Sequence, residues 1–359
     1  MKILAFLLLA ASAAAAPLRP ITARDRVLVV APHPDDESLG AGGLLQRAVA
    51  AHARIRVVFL TNGDNNVWAQ RYIEHRFYIG AADKARWGAR RDKEALNALG
   101  RLGVPAKSAV FLDFHDSDTT RLLMTGNQPF QAAIDSSIIA WQPTILVLPS
   151  PDDLHPDHNT AYVVTRLEYR RLNTPLPYEL EYLVHTNGAP KPGGIELPLT
   201  AEEKQTKLEA ILRHATQMTL GRKRFTAFAS DVETFRPPGL SGDPDPLFEA
   251  KLERGILRVA ICRQKNHSLH GAVLDVAMQT TQGEPIRLEM PLPPNSQNVQ
   301  TVDSMTRQPA STAWVRYQSD KIEIAIPVSS PARLAFVKLD WTPVFFDIAG
   351  WREAPVSSR

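Results

Sequence analysis

The chain has 359 residues, 44% of them hydrophobic and 22% charged, with a formal net charge of +3. Basic residues cluster only in short or interrupted runs, at Arg86–Lys93 and Arg222–Arg224. This excludes the broad basic surface that nucleic-acid binding requires. A single cysteine, Cys262, excludes an intramolecular disulfide.

Lys2, the apolar run Ile3–Leu9 and the small residues Ala10–Ala16 read as a signal peptide over residues 1–16, cut within Ala13–Ala16. The apolar run is too short for a stable membrane span, and no other long uncharged stretch follows. An exported protein, periplasmic or secreted, is therefore expected. The length that remains suggests two domains.

Arg26–Ala31 is a continuous apolar run ended by Pro32, as in a parallel strand buried on both faces. Ser38–Ala51 follows with helical spacing, then a strand at Arg54–Leu60 and a turn at Thr61–Asp64. This β–α–β unit implies a right-handed crossover. Residues 65–90 read as a long loop with some helix, and Arg91–Leu102 as an amphipathic helix. A strand at Ala109–Leu112, a helix at Phe130–Trp141, a strand at Thr144–Leu148 and a helix at Pro156–Leu172 continue the alternation. The expected fold is α/β: a Rossmann-like, mostly parallel sheet with helices on both faces over residues 17–238. The Pro/Gly/Asp-rich stretch Arg236–Pro246 reads as a linker. Short alternating runs at Leu257–Cys262, Gly271–Met278, Trp314–Gln318, Lys321–Ile326 and Arg333–Leu339 predict a C-terminal antiparallel β-sandwich over residues 246–359.

Two segments gather imidazoles and carboxylates beside proline: Pro32-His33-Pro34-Asp35-Asp36-Glu37 and His155-Pro156-Asp157-His158. Such groups tolerate burial only when paired, hydrogen-bonded or bound to a metal. Each segment follows a predicted buried strand, and ligands of open α/β sheets bind beyond the carboxyl ends of strands. The two segments are thus expected to converge. Pro156 suits the first position of a helix, which makes His155 its cap and sets His158 in its first turn. Two histidines and one aspartate supply three ligands to one tetrahedral zinc and leave a position for water. A remaining carboxylate can take the water's proton, and a remaining imidazole can stabilise an oxyanion. Either segment alone reads equally well as a surface turn; their joint placement carries the metal reading. The glycines of Leu39-Gly-Ala-Gly-Gly43 do not match a phosphate cradle, and close helix–sheet packing explains them.

At these residues the chain resembles the zinc-dependent PIG-L or LmbE-like N-acetylglucosaminyl deacetylases, whose signatures are a strand followed by (A/P)-H-P-D-D-E and, later, H-P-D-H. The likeness runs over about residues 25–235. Weaker matches stand at Arg91-x-x-Glu94, Leu99–Gly103 and Lys207…His214-Ala-Thr-Gln217. The resemblance implies His33, Asp36 and His158 as ligands of one Zn2+ ion, with Fe2+ a second candidate metal. It implies Asp35 as general base and His155 as stabiliser of the tetrahedral oxyanion. Glu37 and Asp157 are then residues that orient the ligands. It also implies hydrolysis of an N-acetyl group, usually on a glucosamine unit.

Asn62, Asp64, Arg91 and Asp116 are candidates for contacts with an N-acetylated sugar or glycan substrate, although Arg91 and Glu94 equally fit an intrahelical pair. His214 and Gln217 read as second-domain packing. His115, His185, His267 and His270 read as structural or surface residues, Cys262 as a small core residue, and Trp314, Trp341 and Trp351 as core more readily than as sugar platforms. An exported location argues against the thiol precursors that cytoplasmic relatives use, and the C-terminal domain is absent from the minimal family. The expected function is an exported zinc-dependent deacetylase of an amino sugar or N-acetylglucosamine-containing glycan. Two alternatives stay open: a zinc amidase for another acylated small molecule, and a non-catalytic carbohydrate-binding protein.

Overall fold

A computed structural model describes residues 16–186, 194–238, 248–262, 269, 271–340, 346–347 and 350–357. The expected signal peptide, apart from Ala16, lies outside the described residues, as do most of the linker, His267, His270 and Trp341.

Five parallel strands form the first sheet: β1 (Arg26–Ala31), β2 (Arg54–Thr61), β3 (Ala109–Phe114), β4 (Ile145–Pro149) and β5 (Tyr178–Tyr182). Their order is β3-β2-β1-β4-β5. The order reverses between β1 and β4, and that switch point is where doubly wound sheets open a crevice. β1 is apolar throughout because both its faces are covered. Val27, Val29 and Ala31 pack with Leu44, Leu45 and Leu99 on one side, while Leu28 and Val30 join Ile138, Val163 and Leu167 on the other. Strand β5 was not expected, since Tyr-Glu-Leu-Glu-Tyr lacks the continuous apolar run of its neighbours.

The helices that matter here are α1 (Asp36–Ala50), α2 (Val67–Glu74), α3 (Ala81–Arg101), α4 (Pro156–Arg171), α5 (Ala201–Ile211) and α6 (Ala215–Thr226). The helix expected from Arg91 starts ten residues earlier, at Ala81. Its charged first half hid the start. Asp83 holds the Gly80 N–H at 3.0 Å, and Trp87 extends the buried face of Arg91 and Ala95 by one turn. The α1 glycines do serve close packing: a Cβ at Gly40 would stand 2.2 Å from the Tyr182 ring of β5.

The C-terminal part is the expected antiparallel β domain, with its strands joined in one sheet. β6 (Phe248–Glu253), β7 (Ile256–Cys262), β8 (Val273–Thr280), β9 (Pro285–Pro291), β10 (Gln297–Asp303), β11 (Pro309–Tyr317), β12 (Lys321–Pro327) and β13 (Ala332–Asp340) lie in one sheet, in the order β13-β8-β9-β10-β11-β12-β7-β6. Residues 352–357 close it, because Arg352–Glu353 pair with β13 and Val356–Ser357 with β6. A closed sheet removes both exposed edges. Its interior is aliphatic, with Leu257, Val259 and Ile261 of β7 paired with Ile326, Ile324 and Ile322 of the neighbouring β12. The alternation that buries Ile261 turns Cys262 outward, so Cys262 is exposed rather than core. Trp351 is fully buried, whereas Trp314 is 50% exposed.

The two parts share a core. Ala277, Leu334, Phe336 and Trp351 pack with Tyr162, Val163 and Leu167 of α4. Arg287, fully buried, donates to the Leu123 carbonyl at 3.3 Å, and Ser304 donates to that of Met124 at 2.7 Å.

Candidate metal and catalytic site

His33 follows β1, and Asp35 caps α1; His155 caps α4, with Pro156 in its first turn. β1 and β4 are adjacent, so both segments emerge side by side at the switch point. His33, Asp35, Asp36, His155 and His158 are all buried there.

Three ligand atoms form a nearly equilateral triangle. His33 Nδ1 lies 3.2 Å from Asp36 Oδ2, Asp36 Oδ2 lies 3.1 Å from His158 Nε2, and His158 Nε2 lies 3.3 Å from His33 Nδ1. Ligands at ~2.0–2.1 Å from a tetrahedral zinc stand ~3.3 Å apart. The residues therefore fit a divalent cation. Other groups also bring ligand atoms within 4.8 Å: His33, His155 and His158; Asp153, His158 and His185; His33, Asp116 and Asp157. In the His33–Asp36–His158 triangle all three sides are 3.1–3.3 Å, and the other carboxylates account for the ring nitrogens it leaves over.

Each of those nitrogens faces a carboxylate. His33 Nε2 lies 3.2 Å from Asp157 Oδ2 and 3.4 Å from Asp116 Oδ1, while His158 Nδ1 lies 3.2 Å from Asp153 Oδ2. Carboxylates in this position fix the tautomer of a ligating imidazole and raise its basicity. Asp157 is itself held by the backbone N–H of Ser117 at 2.6 Å and the Thr119 hydroxyl at 2.6 Å, beyond the end of β3.

The cluster is rich in negative charge. Burial alone would lower the His158 pKa, but Asp153 and Asp36 outweigh it and lift it to about 10. His33 is likewise driven upward against burial, by Asp116, Asp157 and Asp36. A field that pulls protons onto two imidazoles equally favours a divalent cation between them. His155 behaves oppositely: burial, then the neighbouring His33 charge, push it down to about 3. Its Nδ1 accepts the Asp157 N–H at 3.2 Å, which leaves the proton of the neutral ring on Nε2. Nε2 lies 3.9 Å from Asp116 Oδ1 and is the donor this ring offers to the site.

Asp35 has φ 138°, a backbone region that side chains rarely occupy. Its own N–H donates to Glu37 at 2.9 Å, and Arg91 stands 3.4 Å from its carboxylate. Burial pushes Asp35 up to about 6, with Arg91 opposing. Glu37 faces away from the triangle, towards Ser38 at 2.6 Å and His214 at 3.0 Å. It therefore orients the backbone of Asp35 rather than a metal ligand.

The four candidate substrate contacts separate. Asp116 lies against His33 and His155. Arg91 donates to the carbonyls of Gly63 at 2.8 Å and Pro34 at 2.7 Å, so it braces the Asp35 loop and does not pair with Glu94. Glu94 instead accepts from the Thr216 hydroxyl at 2.6 Å. Asp64 accepts from the Asp116 N–H at 3.0 Å and from His115, an exposed side chain, at 2.8 Å. Asn62 packs on α3, where a Cβ at Gly88 would meet its Cγ at 2.8 Å.

Three residues belong nearer the site than their sequence suggested. His214 lies against Glu37 beneath α1, in the α/β part rather than in second-domain packing, and Gln217 accepts from Asn66 at 3.1 Å in the same part. His185, read as structural or surface, packs edge-on to His158 with ring centroids 4.7 Å apart and lies 3.1 Å from Asp153. Asp153 itself was missed. Its signal was available: Asp152-Asp153 stands between the end of β4 and His155. His185 had none, because it follows the unrecognised β5.

A parallel sheet of this order with a buried His/Asp triangle at its switch point is the frame of a metal-dependent hydrolase. Residues 28–167 are, more particularly, a PIG-L family domain, matching the family model described as GlcNAc-PI de-N-acetylase, and PIG-L deacetylases are metal-dependent amide hydrolases. The chain is 28% identical over 233 residues to a 1D-myo-inositol 2-acetamido-2-deoxy-alpha-D-glucopyranoside deacetylase of Mycobacteroides abscessus, covering 54% of this chain and 82% of that protein. Among solved structures it is similar to the A40926 pseudoaglycone deacetylase Dbv21, at 21% identity and TM-score 0.46, over 60% of this chain and 97% of that one. It is also similar to the N,N'-diacetylchitobiose deacetylase of Pyrococcus horikoshii, at 20% identity and TM-score 0.42, over 62% and 87% of the two chains.

Proposed function

We propose that the protein is an exported zinc-dependent deacetylase that hydrolyses the N-acetyl group of an amino sugar or N-acetylglucosamine-containing glycan. The observation that carries this reading is the triangle of His33, Asp36 and His158, flanked by Asp35 and His155, within a PIG-L domain. The acetamido-glucopyranoside acted on by the mycobacterial relative supports the substrate class. The charged, apolar and small-residue segments of residues 1–16 support export.

His33, Asp36 and His158 would hold the zinc, which supplies Lewis-acid polarisation of the amide carbonyl and acidifies a water. Asp35 takes a proton from the attacking water. Its conformation is fixed by Glu37 and Arg91, so little reorganisation accompanies that transfer. His155, neutral with its proton on Nε2, donates to the oxyanion that develops on the former carbonyl. Collapse of the tetrahedral carbon breaks the C–N bond. The amine leaves with a proton from Asp35 or His155, and acetate remains. Asp153 and Asp157 hold the two ligand rings in place throughout.

The test is acetate release from N-acetylglucosamine and chitooligosaccharides by purified protein, with and without a chelator. Acetate is expected only without chelator, and His158→Ala is expected to lose both turnover and bound metal, read by elemental analysis. Acetate release indifferent to chelation would overturn the zinc reading. Glycan binding without any acetate would favour a binding protein.

A further inference from the structure

The second metal-site segment is gripped from outside its own domain. Asp347, carried between β13 and the closing strand of the C-terminal sheet, accepts from the Asn159 side chain at 2.7 Å. Its backbone N–H donates to the Leu154 carbonyl at 2.8 Å. Leu154 immediately precedes His155, and Asn159 immediately follows His158. One residue thus clamps both ends of the stretch that bears the two histidines. Lys338, itself buried on β13, lies 2.9 Å from the Asp347 carboxylate and compensates its charge.

The neighbour of Asp347 reaches the rings themselves. Phe346 meets His155 edge-to-face, at 5.9 Å between centroids and 78° between planes, and lies 5.3 Å from His185. His185 leans on Asp153, the carboxylate behind the ligand His158. Further along, Gly350 presses on the loop before His155: a Cβ there would stand 1.8 Å from the Pro151 carbonyl oxygen. Trp351 then donates to the Thr160 hydroxyl at 3.3 Å. These contacts fall on residues 151–160 and on His185, and all come from the C-terminal part of the chain.

We propose that Phe346 and Asp347 are positioning residues for His155 and His158, so that the catalytic site of the α/β domain is complete only with the C-terminal sheet docked on it. The proposal rests on the deacetylase reading for its kinetic test alone. The aromatic edge fixes the plane of the His155 ring, the donor to the oxyanion. The Asp347 clamp fixes the backbone from which both rings project. A displacement of ~1 Å in such a group costs on the order of 10²-fold in rate.

The test uses full-length Phe346→Leu, Phe346→Tyr, Asp347→Ala and Gly350→Ala, with Trp314→Ala on the outer face of the sheet as control. Phe346→Leu keeps an apolar side chain and so guards against simple unfolding. It is expected to lower kcat at least tenfold, with KM within threefold and bound metal unchanged, and Phe346→Tyr is expected to restore most of that loss. Asp347→Ala and Gly350→Ala are expected to lower kcat similarly, and Trp314→Ala to leave it alone. In histidine-labelled, metal-free protein, Phe346→Leu is expected to shift the ring resonances of His155 and His185, because the aromatic ring current is gone. A kcat within twofold of wild type for both Phe346→Leu and Asp347→Ala overturns the proposal. So do unmoved histidine resonances, whether or not the wild type releases acetate. A wild type that releases none, with the resonances moved, refutes the deacetylase reading and leaves the contact standing.

Discussion

The two sheets of this molecule bury opposite kinds of residue. Within the C-terminal sheet the paired positions of β7 and β12 are Leu257, Val259, Ile261, Ile322, Ile324 and Ile326, which ask for nothing but close packing. At the carboxyl end of the parallel sheet the buried positions are Asp35, Asp36, Glu37, Asp153, Asp157 and the histidines among them. Buried charges of this density are tolerated only when each is compensated. There the compensation is specific: a carboxylate behind each ligand ring, Arg91 beside Asp35, and His214 against Glu37. One interior is built for stability, and the other sacrifices stability to hold a reactive geometry. The two meet at Asp347 and Trp351, where the stable sheet braces the costly one.

The sharpest way to break this contrast is to remove charge where it is expected to act. Asp35→Asn keeps the shape and is expected to lower turnover by ~10²–10⁴, the usual contribution of a positioned base. The bound metal should stay at wild-type stoichiometry in the same preparation. A near-wild-type rate would remove Asp35 from the mechanism. The opposite interior should respond only in stability. Ile324→Ala is expected to cost about 2–5 kcal/mol in denaturant unfolding, as buried isoleucine truncations do. Turnover per folded molecule, measured well below the transition, should not change. A comparable loss of kcat would mean that the sheet's core couples to the site more deeply than its clamp residues suggest.

Asp153→Asn lies between these extremes. It removes the carboxylate charge behind His158 while leaving a side chain able to contact the ring. Metal affinity is expected to weaken ~10–100-fold, as measured by competition with a chromogenic chelator. An unchanged affinity would imply that the N–H groups of Val184 and His185, which donate to Asp153 at 2.9 and 3.0 Å, are the reason for that carboxylate.

What could be read from the sequence followed from local patterning. β1, β2 and β4 are buried on both faces and spell themselves out as apolar runs, so the sequence alone places the two metal-site segments at one rim. β5 could not, because its glutamates find partners that no linear pattern announces: Glu179 pairs with Arg166 at 2.6 Å and Glu181 accepts from Ser150 at 3.1 Å. His185 was lost with it. Arg91 was read as a substrate contact because a cation in a loop-rich stretch looks available. Its true partners, the carbonyls of Gly63 and Pro34, are backbone atoms, and no sequence pattern records them. The closing segment 352–357 was invisible for a related reason, since pairing with both edges of a sheet is a property of the closed sheet and not of six residues.

Strain and function can be separated at Asp35. With φ 138° the residue occupies a region that costs a side chain ~1–3 kcal/mol, and its buried carboxylate adds an electrostatic cost beside Asp36. Glycine adopts such angles freely, at a price of ~0.5–1 kcal/mol in unfolded-chain entropy. Asp35→Gly should therefore stabilise the metal-free protein by roughly 1 kcal/mol, seen as a rise of a few degrees in its melting temperature, while turnover is abolished. The loss of the ion pair with Arg91 works against this gain, although Arg91 keeps its two carbonyl partners. Should Asp35→Gly instead lower the melting temperature, the carboxylate would be a structural keystone for Arg91. The contrast between the two interiors would then fail at its most strained residue.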